Sequence, residues 1–216
     1  MKDGIQKRTE MKKGRLLAFE GIDGSGKSTQ LMLLAERLKR EGVPVYTTME
    51  PTASPIGAMI RQVLTGRIKM DPKVIAALFV ADRLDHLLND VDGIRMKVEA
   101  GTTVLTDRYY FSSYAYQSVD MPMDWVIQAN EESRKILRPT ATVFIDVPPK
   151  MAIERIVKGR ASRELFEEQS RLEAVRERYL EAFERTKDTE TILWVDGTRP
   201  VDVVAEAVWE KLQAFF

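Results

Sequence analysis

The chain has 216 residues, enough for one domain with a real core, and its 33 basic and 33 acidic residues cancel. That balance leaves no basic stripe of the kind that backbone-phosphate binding needs, which argues against a nucleic-acid partner. Cysteine is absent, which excludes disulfides and thiolate-held metal and suits a reducing cytoplasm, and the longest apolar run, residues 74–81, is too short to span a membrane.

Residues 1–14 are charged and lack an apolar centre, so they read as a frayed tail rather than a secretory signal, with Met11 as an alternative start. Residues 15–216 read as one domain without repeat, low-complexity segment or linker. Leu16-Leu17-Ala18-Phe19-Glu20 predicts a strand, and it runs directly into Gly21-Ile22-Asp23-Gly24-Ser25-Gly26-Lys27-Ser28-Thr29. This is the pattern G-x-x-x-x-G-K-S between a strand and a helical stretch, 30–40, which is the context in which it forms a phosphate-binding loop. Glycines let successive N–H groups turn inward, and the next helix adds the positive end of its dipole, so the loop cradles the phosphates of a nucleoside triphosphate. Lys27 is expected to reach the β- and γ-phosphates and the Ser28 hydroxyl to ligate Mg²⁺.

The helix after the loop carries Leu31, Leu34, Ala35 and Leu38 on one face and closes near Gly42. Residues 43–49 form the next strand, with Pro44 near its start, and strand-helix-strand implies a parallel pair with a right-handed crossover. Glu50-Pro51 ends that strand, and a helix over 54–65 bears Arg61. Asp71 as cap and Pro72 at the first position open a helix that runs to Leu88, with Phe79, Arg83 and His86 on one face. A shorter helix ends near Gly101; the strand 102–107 then delivers Asp107, followed by Arg108, to the carboxyl edge, where open α/β sheets bind ligands. Beyond the aromatic, hydroxyl-rich stretch 109–117 come a helix over 122–137, a strand over 141–146 and a helix over 150–157. The basic segment Lys158-Gly159-Arg160-Ala161-Ser162-Arg163, a charged helix over 166–186, a strand over 191–196 and a helix over 201–215 complete the chain.

Five strands alternating with helices around a phosphate loop predict an α/β, three-layer fold with a five-stranded parallel sheet, as in phosphate-loop kinases and nucleotide hydrolases. No Asn-Lys-x-Asp segment exists to read guanine, and the basic segment at about 158–168 stands where a lid could close over transferring phosphates. A nucleotide-gated regulatory module remains the alternative from another class; it would hydrolyse slowly, with no dependence on an acceptor.

The loop with Asp23, Glu50-Pro51 with Arg61, Phe79-x-x-x-Arg83 and Asp107-Arg108-Tyr109-x-x-Ser112-Ser113-x-Ala115-Tyr116-Gln117 together resemble the thymidylate kinase family, in its order and spacing, from Leu16 to the C-terminus. The resemblance implies transfer of the γ-phosphoryl of Mg·ATP to thymidine monophosphate, with another nucleoside monophosphate or a deoxynucleoside as the alternative acceptor. It implies that Phe79 stacks on thymine and that Arg83 donates to the carbonyl edge of the base. Read alone, the pattern fits better with Phe79 as a core residue and Arg83 as a helix-surface charge. Arg108 and Arg61 resemble the contacts to the acceptor phosphate, and Asp107 the group that holds Mg²⁺, directly or through water; alone, Asp107 reads as a salt-bridge partner of Arg108. Asp23 matches a carboxylate near the 3′-hydroxyl, or else a turn-stabilising group. Ser113, Tyr116 and Gln117 fall where the family reads thymine and packs the deoxyribose, Tyr116 crowding the 2′ position; alone they read as ordinary helix packing.

Two departures from the family stand out. Some members carry an arginine inside the loop where this chain has Gly24, so charge neutralisation is expected from the lid, where Arg155, Lys158, Arg160 and Arg163 lie and where Arg160 and Arg163 are the leading candidates. The D-R-x-E lid sequence of bacterial members is replaced by Glu164-Leu165-Phe166-Glu167, which resembles archaeal-type members. No general base is expected, because the nucleophile is an already anionic phosphate oxygen, and His86 reads as a helix-surface or core residue. A homodimer is implied through the helices around 61–88, with Val74, Ala77, Leu78 and Val80 offering apolar surface, and Asp196-Gly197-Thr198 falls near the donor nucleotide.

Overall fold

The computed structural model describes residues 13–156 and 162–216. Strands β1 (Leu16–Glu20), β2 (Val45–Met49), β3 (Thr103–Asp107), β4 (Ala141–Asp146) and β5 (Ile192–Asp196) form a parallel sheet in the order β2-β3-β1-β4-β5. β1 is buried throughout and alternates its side chains between two layers. Leu17 and Phe19 pack with Leu31, Leu34, Leu38, Val204 and Val208, while Leu16 and Ala18 face a layer of Tyr110, Tyr114, Phe144, Val175, Tyr179 and Phe183. The chain passes from β3 on one side of β1 to β4 on the other, so the sheet changes winding direction there and opens a crevice at the strand ends.

Helix α1 (Lys27–Arg40) follows the loop, with α2 (Pro55–Leu64) and α3 (Pro72–Leu88) between β2 and β3. Ser54 caps α2 through an N–H from Gly57 at 3.2 Å, and Asp71 caps α3 through Lys73 N–H at 2.9 Å, so α3 starts where its cap and proline signals put it. Helix α4 (Ile94–Glu99) precedes β3, and α5 (Tyr110–Tyr116) with a 3₁₀ turn at Gln117–Val119 gives form to the aromatic stretch after it.

The single helix expected over 122–137 is two, α6 (Met123–Ala129) and α7 (Glu131–Ile136). Asn130 breaks it at φ −96° and ψ 0°, its Nδ2 donating to the Val126 carbonyl at 2.8 Å in competition with the helical ladder. Helix α8 (Pro149–Ile156) follows β4. Helix α9 (Ser162–Thr186) starts four residues before the position expected from apolar spacing, and α10 (Val201–Leu212) ends in a short 3₁₀ turn, Gln213–Phe215. Of the expected tail, residues 1–12 lie outside the described residues, while Gly14 N–H donates to the Val98 carbonyl at 2.8 Å. Of the expected lid, residues 158–161 also lie outside them, Arg160 included, as does the side chain of Arg163. Among the described residues no helix is long and apolar enough to cross a membrane.

Candidate active site

The loop 21–26 leaves β1 and enters α1 through Gly26, whose φ of 93° admits glycine readily and whose helix has no side-chain cap. The start of α1 is thereby left to a ligand, with the dipole behind it. Lys27 is buried at this start. Burial, helped by the nearby Arg108 charge, lowers its ammonium pKa to about 8 against the opposing pull of Asp107, Asp23 and Glu20. Ser28 donates its hydroxyl to Asp107 Oδ2, and Asp107 Oδ1 is buried without a hydrogen-bond partner among the described residues. Ser25 Oγ in the loop is orphaned in the same way. Buried oxygens of this kind point to a bound group that supplies the missing partner.

Gly24 has a φ of 77°, and a Cβ there would lie 2.4 Å from the Ala152 carbonyl oxygen. An arginine at this position is therefore blocked both by backbone strain and by α8. Arg155 of α8 reaches the loop from outside, its Nη1 donating to the Ser25 carbonyl at 3.2 Å and its Nη2 to the Gly197 carbonyl at 2.8 Å. The turn after β5 is thus tied to the loop, and a cavity of about 500 Å³ lined by residues 24–30, Arg155, Gly197, Arg199, Val201 and Val204 opens beside it.

On the other side of Lys27, Arg108 holds a non-glycine φ of 74°. Conformations of this kind cost about 1–3 kcal/mol and persist only where surroundings enforce them; here Arg108 N–H donates to Phe19 at 2.9 Å and its carbonyl accepts from Thr106 Oγ1 at 2.8 Å. The turn aims the guanidinium into the crevice, where Nη2 meets Asp23 Oδ1 at 2.5 Å and the Tyr116 hydroxyl at 3.2 Å, and Nη1 meets Ser112 Oγ at 3.0 Å. Lys27 Nζ lies 3.8 Å from the same Asp23 oxygen. Burial opposes ionisation of Asp23, but Arg108 and Lys27 outweigh it and hold the carboxyl below its ordinary value. The expected Asp107–Arg108 salt bridge is absent among the described residues: Asp107 turns to Ser28 and Arg108 to Asp23.

Glu20, which no local sequence pattern marks as functional, is fully buried at the end of β1. It accepts from Tyr109 N–H at 2.7 Å, Ser112 Oγ at 2.5 Å and Tyr179 Oη at 2.8 Å, and so fixes the start of α5 and the middle of α9 around Arg108. Burial pushes its carboxyl pKa up against those hydrogen bonds. Asp146 at the end of β4 grips α9 a second time, through Arg176 at 2.8 and 2.9 Å.

A second cavity, about 280 Å³, begins at Asp23 and Arg108 and runs between α3 and α5 past Pro51, Phe79, Ser113, Tyr116 and Gln117 to Asp120 and Arg171. Phe79 is half-buried, with a face left for a ligand. Gln117 Oε1 is buried there without a hydrogen-bond partner among the described residues. Arg61 donates through Nη1 to the Pro51 and Thr52 carbonyls, next to the cavity wall rather than on it.

Arg83 differs from expectation. Its side chain is 1% exposed, it does not line the cavity, and all five of its N–H groups are engaged. Nε and Nη2 donate to Glu50 Oε2 at 2.9 and 2.6 Å, Nη2 to the Tyr109 carbonyl at 3.1 Å, and Nη1 to Ser113 Oγ at 3.0 Å and to Asn130 Oδ1. Burial raises the cost of ionising Glu50, but Arg83 and His86 hold its carboxyl below the ordinary value. His86 is a core residue here, between Glu50 Oε1 at 3.1 Å and Thr48 Oγ1 at 2.8 Å.

A sequence profile described as thymidylate kinase matches residues 19–208, from β1 into α10. The chain is 37% identical over 198 residues to the thymidylate kinase of Symbiobacterium thermophilum, covering 89% of both chains. It is 38% identical over 209 residues to the probable thymidylate kinase of Thermococcus onnurineus, covering 91% of this chain and 98% of that one. With the probable thymidylate kinase of Caldivirga maquilingensis it shares 41% over 164 residues, covering 74% and 77%. A phosphate loop, a second cavity reached through Arg108 and a match that spans the sheet agree, and the chain belongs to the thymidylate kinase family.

Proposed function

We infer that the protein transfers the γ-phosphoryl group of ATP to thymidine 5′-monophosphate, giving the diphosphate and ADP. The observation that carries this reading is a cavity with an aromatic wall and a guanidinium at its mouth, opening within one carboxylate of Lys27. A hydrolase needs no such second cavity.

In this reading residues 21–29 and Lys27 grip the triphosphate, and the 500 Å³ cavity by Arg155 and Arg199 takes the adenosine. Arg108 grips the acceptor phosphate with Arg61 behind it, Phe79 stacks on thymine, Ser113 and Gln117 face the base edge, and Tyr116 packs against the deoxyribose near Asp23. Ser28 and Asp107 would hold Mg²⁺; the Ser28 hydroxyl and the Asp107 carboxylate, whose Oδ1 is orphaned, are hard oxygen donors of the type Mg²⁺ takes beside substrate phosphates. When bound, the ion neutralises charge that develops on the transferring phosphoryl. The acceptor oxygen is already anionic, so the protein's part is to align it and to surround the charge with Lys27 and Arg108. Arg160 and Arg163 remain the proposed lid contributors. Assembly as a homodimer fits α2 and α3, where Leu64 and Val74 are 61% and 47% exposed, and a cytoplasmic setting fits the lack of cysteine.

The test is an initial-rate assay with Mg·ATP and each nucleoside monophosphate or deoxynucleoside in turn. Thymidine monophosphate should give the highest kcat/KM. Faster turnover of any other acceptor, or hydrolysis indifferent to acceptor, rejects the assignment.

A further inference from the structure

We propose that Tyr179 of α9 is a positioning residue for the acceptor's phosphate: with Glu20 its hydroxyl pins Ser112 Oγ beneath Arg108, so that one arm of the guanidinium stays fixed while the other passes from Asp23 to the incoming phosphate. The inference rests on the acceptor reading above and adds the buried support on which this arginine stands.

The two arms of Arg108 meet partners of opposite kinds. Nη1 donates at 3.0 Å to Ser112 Oγ, a buried hydroxyl, while Nη2 donates at 2.5 Å to Asp23 Oδ1, on a side chain that is half exposed at the cavity mouth. An ion pair open to water is worth little and is readily exchanged. A phosphate monoester, carrying nearly two charges at neutral pH, is the stronger acceptor for the same fork. Asp23 is not stranded by the exchange, because its Oδ1 keeps Lys27 at 3.8 Å and its Oδ2 keeps the Tyr116 hydroxyl at 3.0 Å.

Ser112 has no comparable freedom. Its Oγ lies 2.5 Å from Glu20 Oε2 and 2.9 Å from Tyr179 Oη, and those two oxygens lie 2.8 Å from each other, so the three form a closed triangle with Arg108 Nη1 attached at the serine corner. Glu20 and Tyr179 are both fully buried. A serine hydroxyl otherwise chooses among three staggered positions; the triangle selects the one that meets Arg108. The Tyr179 ring has separate duties, packed on Phe144 and Phe183 with centroids 5.2 and 5.8 Å away and edge-on to Tyr116 at 6.4 Å. Its hydroxyl can therefore be removed while the ring stays in place.

The experiment measures, by calorimetry on the full-length protein, the Kd of thymidine monophosphate and of thymidine, which lacks the phosphate, for the unaltered chain, Tyr179→Phe, Ser112→Ala and the double variant. Tyr179→Phe is expected to weaken thymidine monophosphate about fivefold and Ser112→Ala about tenfold, the range of a lost hydrogen bond. Thymidine should bind all four proteins alike, and KM for ATP should not move. In the Ser112→Ala background Tyr179→Phe should add nothing, because it acts through Ser112. An unchanged Kd for the monophosphate with only a lower Tm, an equal loss for thymidine, or a further fivefold loss in the double variant overturns the proposal. Should Ser112→Ala fail to fold, Tyr179→Phe alone decides by the contrast between the two ligands. Absence of thymidine monophosphate binding in the unaltered protein would instead remove the acceptor reading itself, and this proposal with it.

Discussion

Around Lys27 the ligand surface is largely backbone, the turn 21–26 and the open start of α1, whereas around Phe79 it is made of side chains delivered by α3, α5 and the segment after β2. The first surface is set by one contiguous stretch and tolerates little but glycine at its turns. The second depends on buried charge: Glu50 and Arg83, both 1% exposed, stand behind a cavity wall that they do not reach. Backbone sites survive most side-chain changes; side-chain sites are only as well placed as the groups beneath them.

Removing the Lys27 charge from the backbone site gives the largest expected effect. Lys27→Met should lower kcat/KM roughly 10³-fold, as loss of a group aimed at developing charge does. Its Tm should hold or rise, since a buried ammonium disfavoured by its surroundings is removed; a marked fall in Tm would contradict this contrast. Glu50→Leu tests the other site by stability. It leaves Arg83 as an uncompensated buried cation and should cost about 3–5 kcal/mol in denaturant unfolding, whereas a cost below 1 kcal/mol would show that the pair carries little. Phe79→Ala should weaken thymidine monophosphate binding by about 1–3 kcal/mol, the scale of base stacking on an aromatic ring, with ATP affinity unchanged in calorimetry. An equal loss for both nucleotides would erase the division. The smallest effect is on pH. Lys27 sheds its proton above about 8, below the usual lysine range, so kcat/KM for ATP should be flat below that value and fall about tenfold per unit above it. A profile flat to pH 10 would mean that Lys27 keeps its charge in the free protein.

The same contrast decides what could be read from the sequence. The loop, the five strands and the Asp71 cap are local signals, each written in a few adjacent residues, and the structure has them in place. Phe79 and Arg83 sit on one face of α3 as the spacing predicts, yet only Phe79 meets the cavity. What sends Arg83 inward is Glu50, 33 residues away, with Asn130 a further 47 on, and no periodicity encodes those meetings. The helix expected over 122–137 breaks at Asn130 because that side chain spends its amide on the Val126 carbonyl and on Arg83, a partner 47 residues away that no local pattern announces. Glu20 looked like the last residue of a strand; its function as the acceptor for α5 and α9 depends on elements 89 to 159 residues later. Gly24 is a visible departure from the family's loop, but its reason, the Ala152 carbonyl 2.4 Å from where a side chain would begin, lies in α8.

Two of the carboxylates that clasp α9, Glu20 at Tyr179 and Asp146 at Arg176, belong to β1 and β4, neighbouring strands of the sheet. That stretch of α9 is bolted to the sheet like a fixed post. The stretch of α9 from Arg176 to Tyr179 thus keeps its register on the two strands nearest the phosphate loop.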